Sequence, residues 1–246
     1  MSTDRRAALA RIRSSIESSG HYAYLVAGGP NPPFLYTIGL TETYGAEILI
    51  AGGGELAASD ANPMIAGVVA ELARAPRERW PELEIRAVDK WGVATLSPVD
   101  ATWSRLLLLG AYDYYDAAHI EAWQVVPDPE HRTLDVPRMD RPWRPDANPA
   151  WRWLAHQWEY EVPPSSMAMT NISALRGAVV TEVSRWEDDY WEMFAGPGPD
   201  VAEGDSRLVP LGTMLAIDPS LEVATTLPVS GGVRRDAEDR QWRAWH

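Results

Sequence analysis

Several residues in this chain could take part in chemistry, yet few sit at a spacing that a recognisable reaction needs. Gly52, Gly54 and Ala57 have the spacing of a dinucleotide-binding turn, in which backbone amides after a strand approach a pyrophosphate. The context argues against that use. The next helix is expected to open at Asn62-Pro63, too far downstream, and no strand end is expected about twenty residues on to carry the acidic partner of the ribose. The five histidines, His21, His119, His131, His156 and His246, form no His-x-x-x-His pair and have no glutamate at zinc-ligand spacing, so no metal or other cofactor is expected. No serine stands in a Gly-x-Ser-x-Gly elbow. With no cysteine in the chain, disulfides, thiolate metal sites and catalytic thiols are excluded.

Two constellations remain. His119 follows Tyr112, Asp113, Tyr114, Tyr115 and Asp116 at the end of an expected helix, and could share a ligand cleft with Tyr36, Thr37, Gln124 and Asp128. The plainer reading of the same residues is an aromatic core face with a histidine beside a helix C-terminus. The second constellation is acidic: between Glu182 and Asp205 lie Glu187, Asp188, Asp189, Glu192, Asp200 and Glu203, with Arg185 alone opposing them. This could be a solvated hairpin and loop, or a lure for a basic protein with Tyr190 and Trp191 as anchors. Most of the twelve tryptophans are expected in cores and at a domain junction, since indole buries much area and needs one partner for its N–H.

Elements to position these groups can be read along the chain. Thr3 and Asp4 cap a helix to about Ser18, stopped by Gly20. Residues 21–27, 34–40 and 46–51 read as a strand meander, and a helix follows from Asn62-Pro63 to near Pro76. Strands are expected over 85–88, 92–96 and 121–126, with one helix over 101–118 between the last two. Prolines at 137, 142, 145 and 149 mark a linker, followed by a short tryptophan-bearing helix over 150–160. Beyond Pro163-Pro164, strands are expected over 177–186 and 190–194, then a strand and helix over 208–217. The expected architecture is therefore α+β in two units: residues 1–140 with a larger, mostly antiparallel sheet and helices, a linker and junction helix over 141–164, and a smaller α+β unit over 165–246.

At 246 residues, with 46% hydrophobic and 23% charged residues, the chain is long enough for two cores. Its N-terminus has amphipathic spacing and lacks a signal-peptide core, and the longest apolar run, 106–111, is far shorter than the roughly 20 residues of a membrane span. A soluble protein of the bacterial cytoplasm is expected. The formal charge of -13 disfavours nucleic acid and points to a basic protein partner. Nothing marks the chain as an enzyme.

Pro33-Phe34-Leu35-Tyr36-Thr37-Ile38-Gly39-Leu40, Ala46-Glu47-Ile48 and Ala122-Trp123-Gln124-Val125-Val126-Pro127-Asp128 resemble the bacterial domain-of-unknown-function 4262 family over about residues 10 to 140. Ala46 stands where that family has proline, and its later Gly-x-Phe-Pro-Trp stretch is replaced by Pro129 to Pro137. The C-terminal part is similar to immunity-protein family 33, also called domain of unknown function 2185, through Gly177-Ala178-Val179-Val180-Thr181, Trp191, Leu208-Val209-Pro210-Leu211-Gly212, Asp218-Pro219-Ser220-Leu221, Leu227-Pro228, Arg234 and Trp242. This second resemblance implies binding and neutralisation of a cognate toxin of a polymorphic secretion system, without catalytic residues. The segment expected to touch the toxin is Glu187, Asp188, Asp189, Tyr190, Trp191 and Glu192. The alternative is an enzyme or ligand-binding protein using the cleft of Tyr36, Thr37, His119, Gln124 and Asp128.

Overall fold

In the computed structural model, which describes residues 3–53, 58–87 and 91–245, helix α1 (Thr3–Ser19) ends at Gly20. The positive φ of that glycine, 78°, brings its amide 2.8 Å from the Ile16 carbonyl. Strands β1 (Tyr22–Val26), β2 (Phe34–Ile38) and β3 (Glu47–Ala51) then form the expected antiparallel meander. The strand expected over 34–40 stops at Ile38, because Gly39, at φ 120°, turns the chain into the short helix α2 (Leu40–Tyr44). A Cβ on Gly39 would lie 3.0 Å from both the Gly20 carbonyl oxygen and the Ile16 side chain, so conformation and space both require glycine there.

Helix α3 (Ala58–Leu72) starts ahead of the expected Asn62-Pro63 opening and holds Pro63 inside it. After a 3-10 helix over Arg77–Glu82 come β4 (Glu84–Ile85) and β5 (Ala94–Pro98). Val88, in the strand expected over 85–88, lies outside the described residues. The helix expected over 101–118 is two, α4 (Ala101–Leu107) and α5 (Leu109–Tyr115), parted at Leu108 and ended by left-handed Asp116 at φ 49°. Strand β6 (Ala122–Val126) completes a sheet ordered β1-β2-β3-β6-β5-β4, parallel at β3–β6 and antiparallel elsewhere.

Both faces of this sheet are covered. Leu35, Ile48 and Ile50 meet α3 and Trp80 on one side, while Tyr36, Ile38 and Leu49 meet α1, α4 and α5 on the other. Strands β2 and β3 are accordingly buried at every position, which is why they read as unbroken apolar runs instead of alternating. Because β2 is flanked on both sides, its amides from Leu35 to Ile38 should exchange with solvent only in near-global openings. Hydrogen exchange at those amides as fast as at residues 200–205 would contradict this.

The proline-rich stretch 134–149 does not run free between units. Asp135, Val136 and Met139 are buried, the Met139 carbonyl accepts from the Asp100 amide at 2.7 Å, and the Leu134 amide donates to the Leu175 carbonyl at 2.8 Å. The short helix expected over 150–160 is a 3-10 helix over Pro149–Leu154. Its tryptophans divide between the units: Trp151 packs in the first core and donates to the Asp135 carbonyl, while Trp153 donates to the Gly212 carbonyl of the second.

The second unit contains β7 (Met167–Asn171), α6 (Ile172–Leu175), β8 (Glu182–Glu187), β9 (Tyr190–Phe194), β10 (Ser206–Pro210), α7 (Leu211–Ile217), a 3-10 helix over Pro219–Thr226, β11 (Gly232–Arg234) and β12 (Arg243–Trp245). The strand expected over 177–186 begins only at Glu182. Sheet order is β10-β7-β9-β8-β11-β12, parallel at β7–β9 and antiparallel elsewhere. One face carries Val183, Trp191, Met193 and Val209 against Leu175, Leu211, Met214, Leu215 and Leu221 of the helical segments. The fold is α+β in two units, each built on a six-stranded mixed sheet.

Candidate functional site

The five residues expected to share a cleft lie in separate places. Tyr36 and Thr37 are neighbours on β2 and point to opposite faces, as strand residues must. The Tyr36 hydroxyl accepts from the Gly110 amide at 2.9 Å and its ring stacks on Tyr24 with centroids 5.1 Å apart; burial raises the pKa of its phenol. His119 is exposed. Its expected companions have other partners: Tyr112 shares a hydrogen bond with Ser104 at 3.0 Å, and Asp113 binds Arg5 of α1. Gln124 is buried, donates to the Pro137 carbonyl at 3.1 Å, and borders a recess of about 360 Å³ with Ser97, Arg132 and Arg138. Asp128 accepts from His131 Nδ1 at 2.7 Å and from the amides of Val93, Glu130 and His131. The His131 contact, foremost, holds its carboxyl below the usual carboxylate range.

A buried carboxylate absent from those expectations joins part of the set. Glu47, 0% exposed, opens β3 and accepts at Oε2 from Thr37 Oγ1 at 2.6 Å. At Oε1 it accepts from Thr41 Oγ1 at 2.7 Å, the Thr41 amide at 3.0 Å, the Gly39 amide at 3.2 Å and the Tyr115 hydroxyl at 2.6 Å. That Tyr115 oxygen also accepts from the Gly39 amide at 2.6 Å. Burial, then the Glu47 charge, raises the Tyr115 pKa, as expected of a phenol donating to a carboxylate. The arrangement fixes the Gly39 turn to β3 and α5. A lone glutamate inside the apolar run 46–51 was the sequence signal for it, since an unpaired charge is not left in a core.

The glycine turn after β3 is also accounted for. The Gly53 amide donates to Asp135 Oδ2 at 3.0 Å, and a Cβ on Gly52 would lie 2.3 Å from the Asp135 carbonyl oxygen. An internal carboxylate thus takes an amide that a pyrophosphate would need. Helix α3 does begin closer to this turn than expected, but Gly54 and Ala57 lie outside the described residues. Among the described residues, no three His, Asp or Glu side chains gather as metal ligands, and no helix is long and apolar enough to cross a membrane.

The acidic constellation lies on the β8–β9 hairpin. Glu187, Asp188 and Asp189 are exposed, and Tyr190 and Glu192 are partly exposed. Burial, then the charges of Glu192 and Glu187, raises the Tyr190 pKa, so both carboxylates stand near its phenol. Arg185 makes no ion pair with them among the described residues: its donors go to the carbonyls of Glu187 at 3.2 Å, Asp188 at 2.8 Å and Leu227 at 2.8 Å. Glu187, Asp188, Asp189 and Glu192 make no ion pair among the described residues. Trp191 is not a surface anchor. It is 0% exposed, donates to the Ala224 carbonyl at 3.1 Å and lies under the Arg185 guanidinium, 4.8 Å from the ring centre. The exposed indole of this hairpin is Trp186, 52% exposed at the β-bulge between Arg185 and Glu187.

These features define an α+β protein of two units, with a buried carboxylate clamp in the first and a net acidic hairpin in the second. The chain belongs to the family described as domain of unknown function (DUF4262), which it matches over residues 15–140. The match takes in β1 to β6, including Tyr36–Leu40, Glu47, Gln124 and Asp128, and leaves the second sheet outside it. Comparison with curated proteins and with solved structures gives no match.

Proposed function

We propose that this protein is a cytoplasmic immunity protein that binds and neutralises a basic bacterial toxin through the β8–β9 hairpin. The observation that carries the reading is the set of carboxylates at Glu187, Asp188, Asp189 and Glu192, which make no ion pair among the described residues, on a turn whose nearby arginine is engaged by backbone carbonyls. Arg185 thereby holds the turn in one shape and offsets one of its four carboxylate charges, so the hairpin stays net negative, and a preformed charged loop loses little conformational freedom on binding. Carboxylates so placed steer a basic partner at long range, and the exposed Trp186 with the partly exposed Tyr190 supplies contact area once water is displaced. The segments Gly177-Ala178-Val179-Val180-Thr181 and Leu208-Val209-Pro210-Leu211-Gly212, which resemble immunity-protein family 33, are in line with the same reading.

If a neighbouring gene encodes a toxin, as the immunity reading expects, reversing both charges in an Asp188→Lys, Asp189→Lys variant should slow association with it by about tenfold or more at low salt. The wild-type rate should itself fall as salt rises. Thermal unfolding should hardly move, because exposed acidic groups rarely contribute more than about 1 kcal/mol to stability. Equal association rates for the two proteins, both shown to be folded, would remove the hairpin from the interface.

A further inference from the structure

At the β5–β6 pair of the first sheet lies a recess that neither the Glu47 clamp nor the hairpin uses. Register sets Ser97 beside Gln124 and Thr95 beside Val126. Leu96 and Val125, which alternate with them, pack in the core with α3, so these four side chains face the opposite side of the sheet. There the stretch from Arg132 to Asp140 passes over the strands, tied down by the Gln124 amide, which donates to the Pro137 carbonyl at 3.1 Å. Thr95, Ser97, Gln124, Arg132, Arg138 and Asp140 all line the recess of about 360 Å³ that remains between them. Its polar groups have more hydrogen-bonding capacity than the protein uses. Gln124 is 1% exposed, yet its side-chain oxygen accepts from no donor among the described residues, and the hydroxyls of Thr95 and Ser97 make no hydrogen bond there either. Buried amides are normally paired at both ends. The guanidiniums are open as well: out of five N–H groups apiece, Arg132 gives one hydrogen bond, to the Pro127 carbonyl at 3.2 Å, and Arg138 gives one, to Asp140 at 3.4 Å. Against these two cations the lining residues set one carboxylate, Asp140. In a chain of formal charge -13, that is a local reversal of sign.

We propose that this recess binds a small phosphate monoester that also carries hydroxyl groups, a sugar phosphate. Guanidinium groups present planar forks of N–H donors that match phosphate oxygens, and a dianion can engage two of them at once where a single carboxylate would satisfy one. Gln124 then offers an acceptor, and Thr95 and Ser97 offer hydroxyls, to the hydroxyl groups of the sugar. The volume stands at the small end of the roughly 300–1,000 Å³ usual for ligand sites, which suits one sugar ring with its phosphate. The recess lies on the first unit, away from the hairpin, and the inference does not depend on the immunity reading.

The test titrates the full chain with glucose 6-phosphate, ribose 5-phosphate, inorganic phosphate and glucose, and follows amide NMR signals. At least one of the two esters should bind with a Kd of about 1 mM or tighter, moving the Ser97 amide and the side-chain amide of Gln124. Inorganic phosphate should bind at least tenfold more weakly, because it leaves Gln124, Thr95 and Ser97 without a partner, and glucose should cause no shift. Arg132→Gln and Arg138→Gln alter exposed side chains, and each should weaken the ester at least tenfold without moving the unfolding midpoint. Arg234→Gln, an exposed arginine of the second unit, should bind the ester like wild type. No shift with either ester up to about 10 mM would overturn the proposal. So would shifts confined to residues outside the recess, or ester binding that survives both Arg132→Gln and Arg138→Gln. Inorganic phosphate bound as tightly as the esters would show that the recess takes the ion alone, and would overturn the assignment to a sugar phosphate.

Discussion

Exchanging Glu47 for glutamine is expected to destabilise the first unit by about 3 to 5 kcal/mol, because several donors aimed at one carboxylate lose its charge together and one loses its oxygen. Thr37, Thr41 and Tyr115 all donate to it through hydroxyls, and the Gly39 and Thr41 amides add to them. Glutamine keeps the shape but turns one end into an NH2 group facing other donors. At roughly 2–4 °C per kcal/mol for a chain of this size, the midpoint should drop by about 6–20 °C. The ring signals of Tyr115 should shift in the same variant, since its hydroxyl then donates to a neutral amide oxygen in place of a carboxylate. A midpoint within 2 °C of wild type, on the order of less than 1 kcal/mol, would show that the clamp contributes little.

In the second unit the largest effect is expected at Arg235. Its side chain is 1% exposed and donates to the Val180 carbonyl at 2.7 Å, Ser220 Oγ at 2.7 Å and Asp218 Oδ2 at 2.8 Å, with the guanidinium 4.1 Å from the Trp242 ring centre. Arg235→Met keeps much of the apolar stem and should cost about 3 kcal/mol, the lower end for breaking a buried pair. The lower end applies because Asp218, 30% exposed, can still turn to water. Burial alone would raise the Asp218 pKa, but the hydrogen bonds from Ser220 and then Arg235 outweigh it and hold the carboxyl below its ordinary value. A depressed carboxyl contributes stability that is present above its unfolded pKa of about 4 and is lost as pH falls through the folded value. The wild-type second unit should therefore weaken below about pH 4, and the variant should show a flatter decline with its Asp218 titrating higher. Identical acid profiles for the two would contradict this account of the pair.

What could be read from the sequence followed local chemistry. Gly20 ended a helix, the meander over β1 to β3 was visible in its apolar runs, and Leu208–Ile217 gave a strand and helix because Pro210 separates them. Elements whose existence depends on partners elsewhere were not legible: β7 carries two methionines, an alanine and an asparagine, and β11 and β12 are three residues each. Their strand form comes from neighbours in the ladder, a tertiary term that propensity does not contain. The same holds at the candidate sites. Nothing local says that Tyr115 reaches Glu47, that Asp135 takes the Gly53 amide, or that Arg185 donates to backbone carbonyls instead of to the neighbouring carboxylates. Trp191 and Trp186 show the limit most directly. Trp191, expected as an anchor, is buried, while Trp186 stands at the surface beside the bulge between Arg185 and Glu187.

The central claim, that the protein neutralises a toxin by binding it, is tested most directly by growth. Cells carrying an inducible copy of whichever neighbouring gene arrests growth when expressed alone would be given wild-type protein, the Asp188→Lys, Asp189→Lys variant, or no immunity gene, with folded protein confirmed in each of the first two. The account predicts growth with wild type, arrest without it, and protection that weakens with the charge-reversed variant in step with its slower association. Arrest in the presence of folded wild-type protein, with no complex recovered between the two chains, would contradict it.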